Sequence, residues 1–157
     1  MKIDDKIVYV FKNFLSKQVC EKYCKKIKNI GFKKETLFFE DRTEDITNDP
    51  IILQVKDFLN KKLNLNLQEA QVQTQNWHIN SSGELHKHYG ERRNTKYNSL
   101  IYLNDDFEGG EFFTEDGFIL KPEQGMLTFF NGYAIKHGTK KVFNKDRKTL
   151  IFWWKDV

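Results

Sequence analysis

The chain has 157 residues and a formal net charge of +4, from 26 basic and 22 acidic side chains; that length suits one domain able to bury a continuous core without disulfides or a structural metal. No apolar run is long enough to cross a bilayer, and the charge excess is too modest and scattered for a nucleic-acid footprint, though it would favour an anionic small molecule. The opening "MKIDDKIVYVF" places its acids early and lacks the apolar stretch of a secretion signal, so the expectation is a soluble cytoplasmic protein without a membrane partner.

Residues 6–12, "KIVYVFK", read as a first strand. Ser16 offers an N-cap, Val19, Cys20, Tyr23, Cys24, Ile27 and Ile30 follow at helical spacing, and Gly31 stops the helix. Cys20 and Cys24 share one side of that helix and read as buried free thiols. The charged run "KQVCEKYCKKIKN", like "FNKDRK" near the end, reads as a solvated face. A strand is expected around "TLFFE". A second helix opens at Asp49-Pro50, with Ile51, Ile52, Val55, Leu59 and Leu63 as its apolar stripe.

From about Gln71 the pattern is strand upon strand: "QVQTQNWHI", "ELHKHY", "YNSLIYL", "GEFFT", "GFILK", "GMLTFF", "AIKHG" and "KTLIFWW", separated by turn residues. Many short strands at regular spacing imply an α+β fold with a jelly-roll core (a double-stranded β-helix) and the two helices on one outer face. A single domain over 1–157 is expected, with 1–70 as strand and helix support and 71–157 as the core.

Two of the four histidines, His86 and His88, are one residue apart in "ELHKHY". On a strand, residues i and i+2 project to the same side, so the two imidazoles point together. His137 ends a late segment with an apolar approach. Ten residues on, Arg147 opens the last strand, and Thr149 shares its face. A guanidinium beside a hydroxyl is a good carboxylate receptor, and Tyr102 in "SLIYLND" could add a phenol donor.

These residues sit in segments that together resemble the Fe(II)- and 2-oxoglutarate-dependent oxygenases, in particular their prolyl-4-hydroxylase-like branch. "VYVFKNFLSKQVCEKYCKKI" is similar to that branch's opening strand, turn and first helix. "YLNDDFEGGEFF" resembles its Gly-Gly-Glu segment. "LKPEQGMLTFF" resembles its Pro-x-x-Gly turn, and "HGTKKVFNKDR" has its distance from distal histidine to basic residue. The resemblance implies Fe(II) and 2-oxoglutarate as cofactors and O2 as co-substrate, and it admits ascorbate. It implies His137 as the distal ligand and Arg147, helped by Tyr102 and Thr149, as the grip on 2-oxoglutarate. Trp77 falls near the family's residue that closes over that molecule. Gly109, Gly110 and Glu111 resemble scaffold for a tight turn, with Glu111 able to border the substrate.

The family's usual set is His-x-Asp plus a distal His, and here no acid stands two after either histidine. In one register His86 and His88 join His137 in a three-histidine metal site. In the other His88 is the first ligand and Gly90 stands in the acid's place, which resembles the family's chloride-using halogenases; Glu91 could swing in instead. The three-histidine register is preferred because both imidazoles already point one way. His78, Trp153 and Trp154 read as structural, and Arg92 and Arg93 as solvated. The expected function is a dioxygenase hydroxylating a peptide or protein side chain, prolyl-type by analogy, or a small molecule. The alternatives are a halogenase, a three-histidine dioxygenase that does not consume 2-oxoglutarate, and a non-catalytic module binding metal or 2-oxoglutarate. Oligomeric state is not legible.

Overall fold

One strand, β12 (Arg147–Asp156), organises the molecule, because its alternate side chains serve two different interiors. Leu150, Phe152 and Trp154 enter one apolar cluster, and Ile151 and Trp153 enter another. The computed structural model describes residues 3–27, 43–46, 48–88 and 95–156.

Before β12 come β1 (Tyr9–Phe11), α1 (Lys17–Lys26), β2 (Thr43–Asp45), α2 (Ile51–Leu63), β3 (Leu67–Trp77), β4 (Gly83–His86) and β5 (Tyr97–Tyr102). Then follow β6 (Glu108–Gly109), β7 (Phe112–Thr114), β8 (Ile119–Leu120), β9 (Leu127–Phe129), β10 (His137–Thr139) and β11 (Val142–Phe143). A major sheet runs β1-β9-β5-β12-β3-β2 and a minor sheet β4-β10-β7-β8, with β11 and β6 paired separately. The described pairings are antiparallel. This is the expected jelly roll, with the helices on the outer face of the major sheet.

The helices form as their sequences dictate. The Ser16 side chain accepts from the Val19 amide at 3.3 Å and starts α1. Asp49 Oδ1 accepts from the Ile51 amide at 2.9 Å and from the Tyr23 hydroxyl at 2.6 Å, which ties the start of α2 to α1. The whole stripe Ile51, Ile52, Val55, Leu59 and Leu63 is buried, and it packs with Cys20 and Ile27 on Val72, Ile101, Leu127 and Leu150. At roughly 1.5–3 kcal/mol per fully buried large aliphatic side chain, this stripe is the main reason α2 stays docked.

Several expectations change. α1 ends at Lys26 and Ile27 caps it, because the Ile27 amide bonds back to the Tyr23 carbonyl; Ile30 and Gly31 lie outside the described residues. Val19, read as part of the apolar stripe, is exposed. "TLFFE" and the pairs Gly90-Glu91 and Arg92-Arg93 also lie outside the described residues. "ELHKHY" is strand only to His86, and "AIKHG" becomes strand only at His137, because Asn131 gathers the amides of Tyr133, Ala134 and Ile135 into a turn. No described helix is long and apolar enough to cross a membrane.

Candidate active site

The minor sheet brings two histidines face to face. In the antiparallel pair of β10 and β4, His137 stands directly opposite His86. Opposed residues in such a pair place their side chains on the same face within a few ångström. Their rings are 4.5 Å apart between centroids. His88 lies just past the end of β4, where its amide donates to the Gly132 carbonyl at 2.8 Å. That bond holds the chain extended for one more step, so His88 follows His86 to the same side. One ligand atom from each of His86, His88 and His137 lies within 4.8 Å of the others.

The ring tautomers are set by the backbone. His86 Nδ1 donates to the Glu84 carbonyl and His137 Nδ1 to the Ile135 carbonyl, each at 2.8 Å. A carbonyl can only accept, so in both rings Nδ1 carries a hydrogen, and Nε2 is the atom of the neutral ring left to bind a metal. Burial lowers the His137 pKa to about 4, so its imidazole is neutral at physiological pH. The surrounding wall is aromatic. Phe112 stacks on His137 and Phe130 meets it edge-on; Trp153 lies against His88 at 4.8 Å, and Tyr133 presents an edge to it. Trp153 therefore does more than pack: it borders the histidine cluster.

At the other end of the interior face, Arg147 begins β12 opposite Trp77, and Thr149 stands opposite both Gln75 and Tyr102. The Arg147 guanidinium carbon is 5.0 Å from the centre of the Tyr102 ring and 5.4 Å from that of Trp77. Arg147 and Tyr102 are 1% and 0% exposed, yet Arg147 Nε and Nη2 and the Tyr102 hydroxyl make no hydrogen bond. Burial pulls the guanidinium pKa down and pushes that of the phenol up; each partner's presence opposes the other's shift. Unpaired buried donors around a cation are costly, so this corner is built for an acidic ligand. Gly110, at φ +68°, lets the β6–β7 turn close over it, since a Cβ there would come within 3.1 Å of Arg147 Cδ. Gly109, also at positive φ, meets the Lys141 carbonyl, which explains the pair as scaffold. Glu111 contributes its carbonyl, which accepts from the Lys140 amide.

Gln75 and Asp146 escaped the sequence reading. Gln75 Oε1 receives the Thr149 hydroxyl at 3.3 Å and Trp77 Nε1 at 3.4 Å, and so aligns two of the predicted residues. Asp146 pairs with His78 at 2.8 Å and accepts from Asn76 and from the Ile79 amide, which pins the turn that delivers Arg147. His78 is thus structural, as expected. Both partners are ordinary polar residues, and only the register between β3 and β12 signals them.

Residues 70–155, more than half of the chain, match the 2OG-Fe(II) oxygenase superfamily.

The chain belongs to that superfamily.

A 65-residue stretch is 42% identical to prolyl 3-hydroxylase 2 of Rattus norvegicus; it covers 37% of this chain but only 9% of that protein, so the chain spans a small part of its curated relative. Among solved structures, the viral collagen prolyl hydroxylase of Paramecium Bursaria Chlorella virus-1, a complex with 2OG, matches with a TM-score of 0.76 and 17% identity over 97% of both chains. A Pseudomonas putida prolyl-4-hydroxylase matches with a TM-score of 0.73 and 15% identity over 94% of this chain and 91% of the other. At such identities the likeness is one of fold. The superfamily's groups, Fe(II) and 2-oxoglutarate, fit what this oxygenase chain offers: three convergent imidazoles suit a divalent transition metal, and the buried guanidinium, whose Nε and Nη2 make no hydrogen bond, suits a carboxylate.

Proposed function

We propose that this chain is an Fe(II)- and 2-oxoglutarate-dependent dioxygenase that hydroxylates a prolyl-type side chain of a peptide or protein. The observation carrying the reading is the presence, on one interior face, of the three-histidine cluster and a buried Arg147 with two unsatisfied nitrogens, Nε and Nη2. His86, His88 and His137 hold the metal. Arg147 and the Tyr102 hydroxyl grip the far carboxylate of 2-oxoglutarate, Thr149 borders it in the alignment set by Gln75, and Trp77 covers the guanidinium. Phe112, Phe130 and Trp153 keep water from the reacting atoms. An iron held there would activate O2, the oxidant, so that 2-oxoglutarate is decarboxylated to succinate and CO2, with one oxygen atom of O2 going to succinate and the other into the substrate C–H bond.

The prolyl substrate is supported by the relatives, which are prolyl hydroxylases, and the chain's role as one domain with 1–70 supporting 71–157 belongs to the same proposal. The place of His86 opposite His137 favours the three-histidine register. The test is anaerobic addition of 2-oxoglutarate to the Fe(II)-loaded protein. A visible metal-to-ligand charge-transfer band, followed by succinate production on admitting O2, is expected. No band, with Arg147→Ala behaving like wild type, would overturn the assignment, and metal binding without 2-oxoglutarate-dependent O2 uptake would select a non-catalytic module.

A further inference from the structure

Two of the three imidazoles have their Nδ1 held by a carbonyl two residues earlier, at Glu84 and Ile135. His88 is built differently. It lies beyond the end of its strand, and its Nδ1 faces the space beside Gly132. The point where a Cβ on Gly132 would stand is crowded from two sides, by His88 Nδ1 and, at 2.5 Å, by Asn98 Oδ1. Glycine keeps both atoms at the edge of the space a side chain there would fill.

Asn98 is fully buried. Its Nδ2 donates to the Phe152 carbonyl at 3.4 Å, which turns its Oδ1 the other way, and that oxygen makes no hydrogen bond. Asn98 also stands opposite Trp153 in the β5–β12 register, and the Trp153 ring lies tilted against His88. A buried amide oxygen without a donor costs stability, and a ligating imidazole regularly donates its second N–H to a fixed acceptor.

We propose that Asn98 is the positioning residue for His88: on metal binding its Oδ1 accepts the His88 Nδ1–H, fixing the tautomer that presents Nε2 to the metal. The side-chain amide thereby does for His88 what a backbone carbonyl does for each of the other two ligands. This rests on the three-histidine reading above, and the test separates the two.

Co(II) affinity is measured for wild type, Asn98→Leu, Asn98→Asp and His137→Ala. Loss of binding in His137→Ala establishes the metal site itself; wild-type binding there would sink the metal reading and this inference with it. With that control met, Asn98→Leu, which removes the acceptor, weakens Co(II) binding about 10- to 100-fold. Asn98→Asp, which keeps an acceptor oxygen in place, binds at least as tightly as wild type. Wild-type affinity in Asn98→Leu, or equal loss in both variants, would overturn the proposal. A second measurement needs no variant. In the Zn(II)-loaded wild-type protein, labelled with 15N and 13C, His88 Nδ1–H gives a through-hydrogen-bond correlation to the Asn98 side-chain carbonyl, and its absence with the other two Nδ1–H signals visible would equally refute the assignment.

Discussion

Arg147 and Tyr102 are diagonal neighbours across the β12–β5 ladder, 5.0 Å from guanidinium carbon to ring centroid, and both are buried with unpaired polar atoms. Removing the guanidinium separates binding from folding. Arg147→Met replaces an unsatisfied buried cation with an apolar chain of similar reach. We expect 2-oxoglutarate affinity to fall by roughly 10- to 100-fold, consistent with charge-assisted hydrogen bonds of about 1.5–3 kcal/mol, while thermal stability holds or rises. Titration calorimetry and thermal melts check both halves; unchanged affinity with a lowered melting temperature would show Arg147 to be structural.

Among the described residues no carboxylate joins His86, His88 and His137. Three neutral imidazoles leave a divalent ion its full charge, close to a buried guanidinium, so the 2-oxoglutarate dianion supplies the neutralisation. Metal and 2-oxoglutarate should therefore strengthen each other's binding, by a factor on the order of 5–150. His86→Asp restores a charge to the ligand set and should tighten the metal alone while shrinking that factor. Co(II) titrations with and without 2-oxoglutarate read both, and an undiminished factor in His86→Asp would refute this account.

Gly132 is absent from the positions with positive φ, so its role is space alone. In Gly132→Ala the added methyl meets His88 Nδ1 and Asn98 Oδ1. The expected result is a stability loss of about 1–3 kcal/mol, typical of overpacking, with metal affinity reduced at least tenfold. Denaturant unfolding and Co(II) binding give the two numbers, and retained affinity would place His88 outside the metal site.

Burial raises the Cys20 thiol pKa to about 11, and burial also raises that of Cys24, whose Sγ lies 3.5 Å from the Leu103 carbonyl. The thiolate is the reactive form, so at pH 8 both thiols should react with a disulfide reagent far more slowly than in the unfolded chain. Fast labelling of either in the native protein would contradict their packing.

The architecture was legible because period-two apolar patterning reports burial directly. Leu150, Phe152 and Trp154 reached the helix side and Ile151 and Trp153 the other, as alternation requires. The α2 stripe was equally plain, since five apolar residues at helical spacing have only one way to be buried together. The limits of "ELHKHY" and "AIKHG" were not legible, because their strand character depends on the partner segment rather than on their own residues. Trp153 was recognised as packing, but its neighbour could not be. The spacing of His86 and His88 suggested a shared side; which distant imidazole they face is a matter of register.

The local code alone determined the helices, the face each strand residue takes and the set of side chains able to bind a metal and a carboxylate, because these follow from spacing along one segment. Tertiary structure alone decided that His137 stands opposite His86, that Gln75 aligns Thr149 and Trp77, and that Asn98 faces His88 across Gly132. Those relations arise from pairing between segments remote in the chain, and the free energy that selects a register is summed over the whole sheet rather than written in any one stretch.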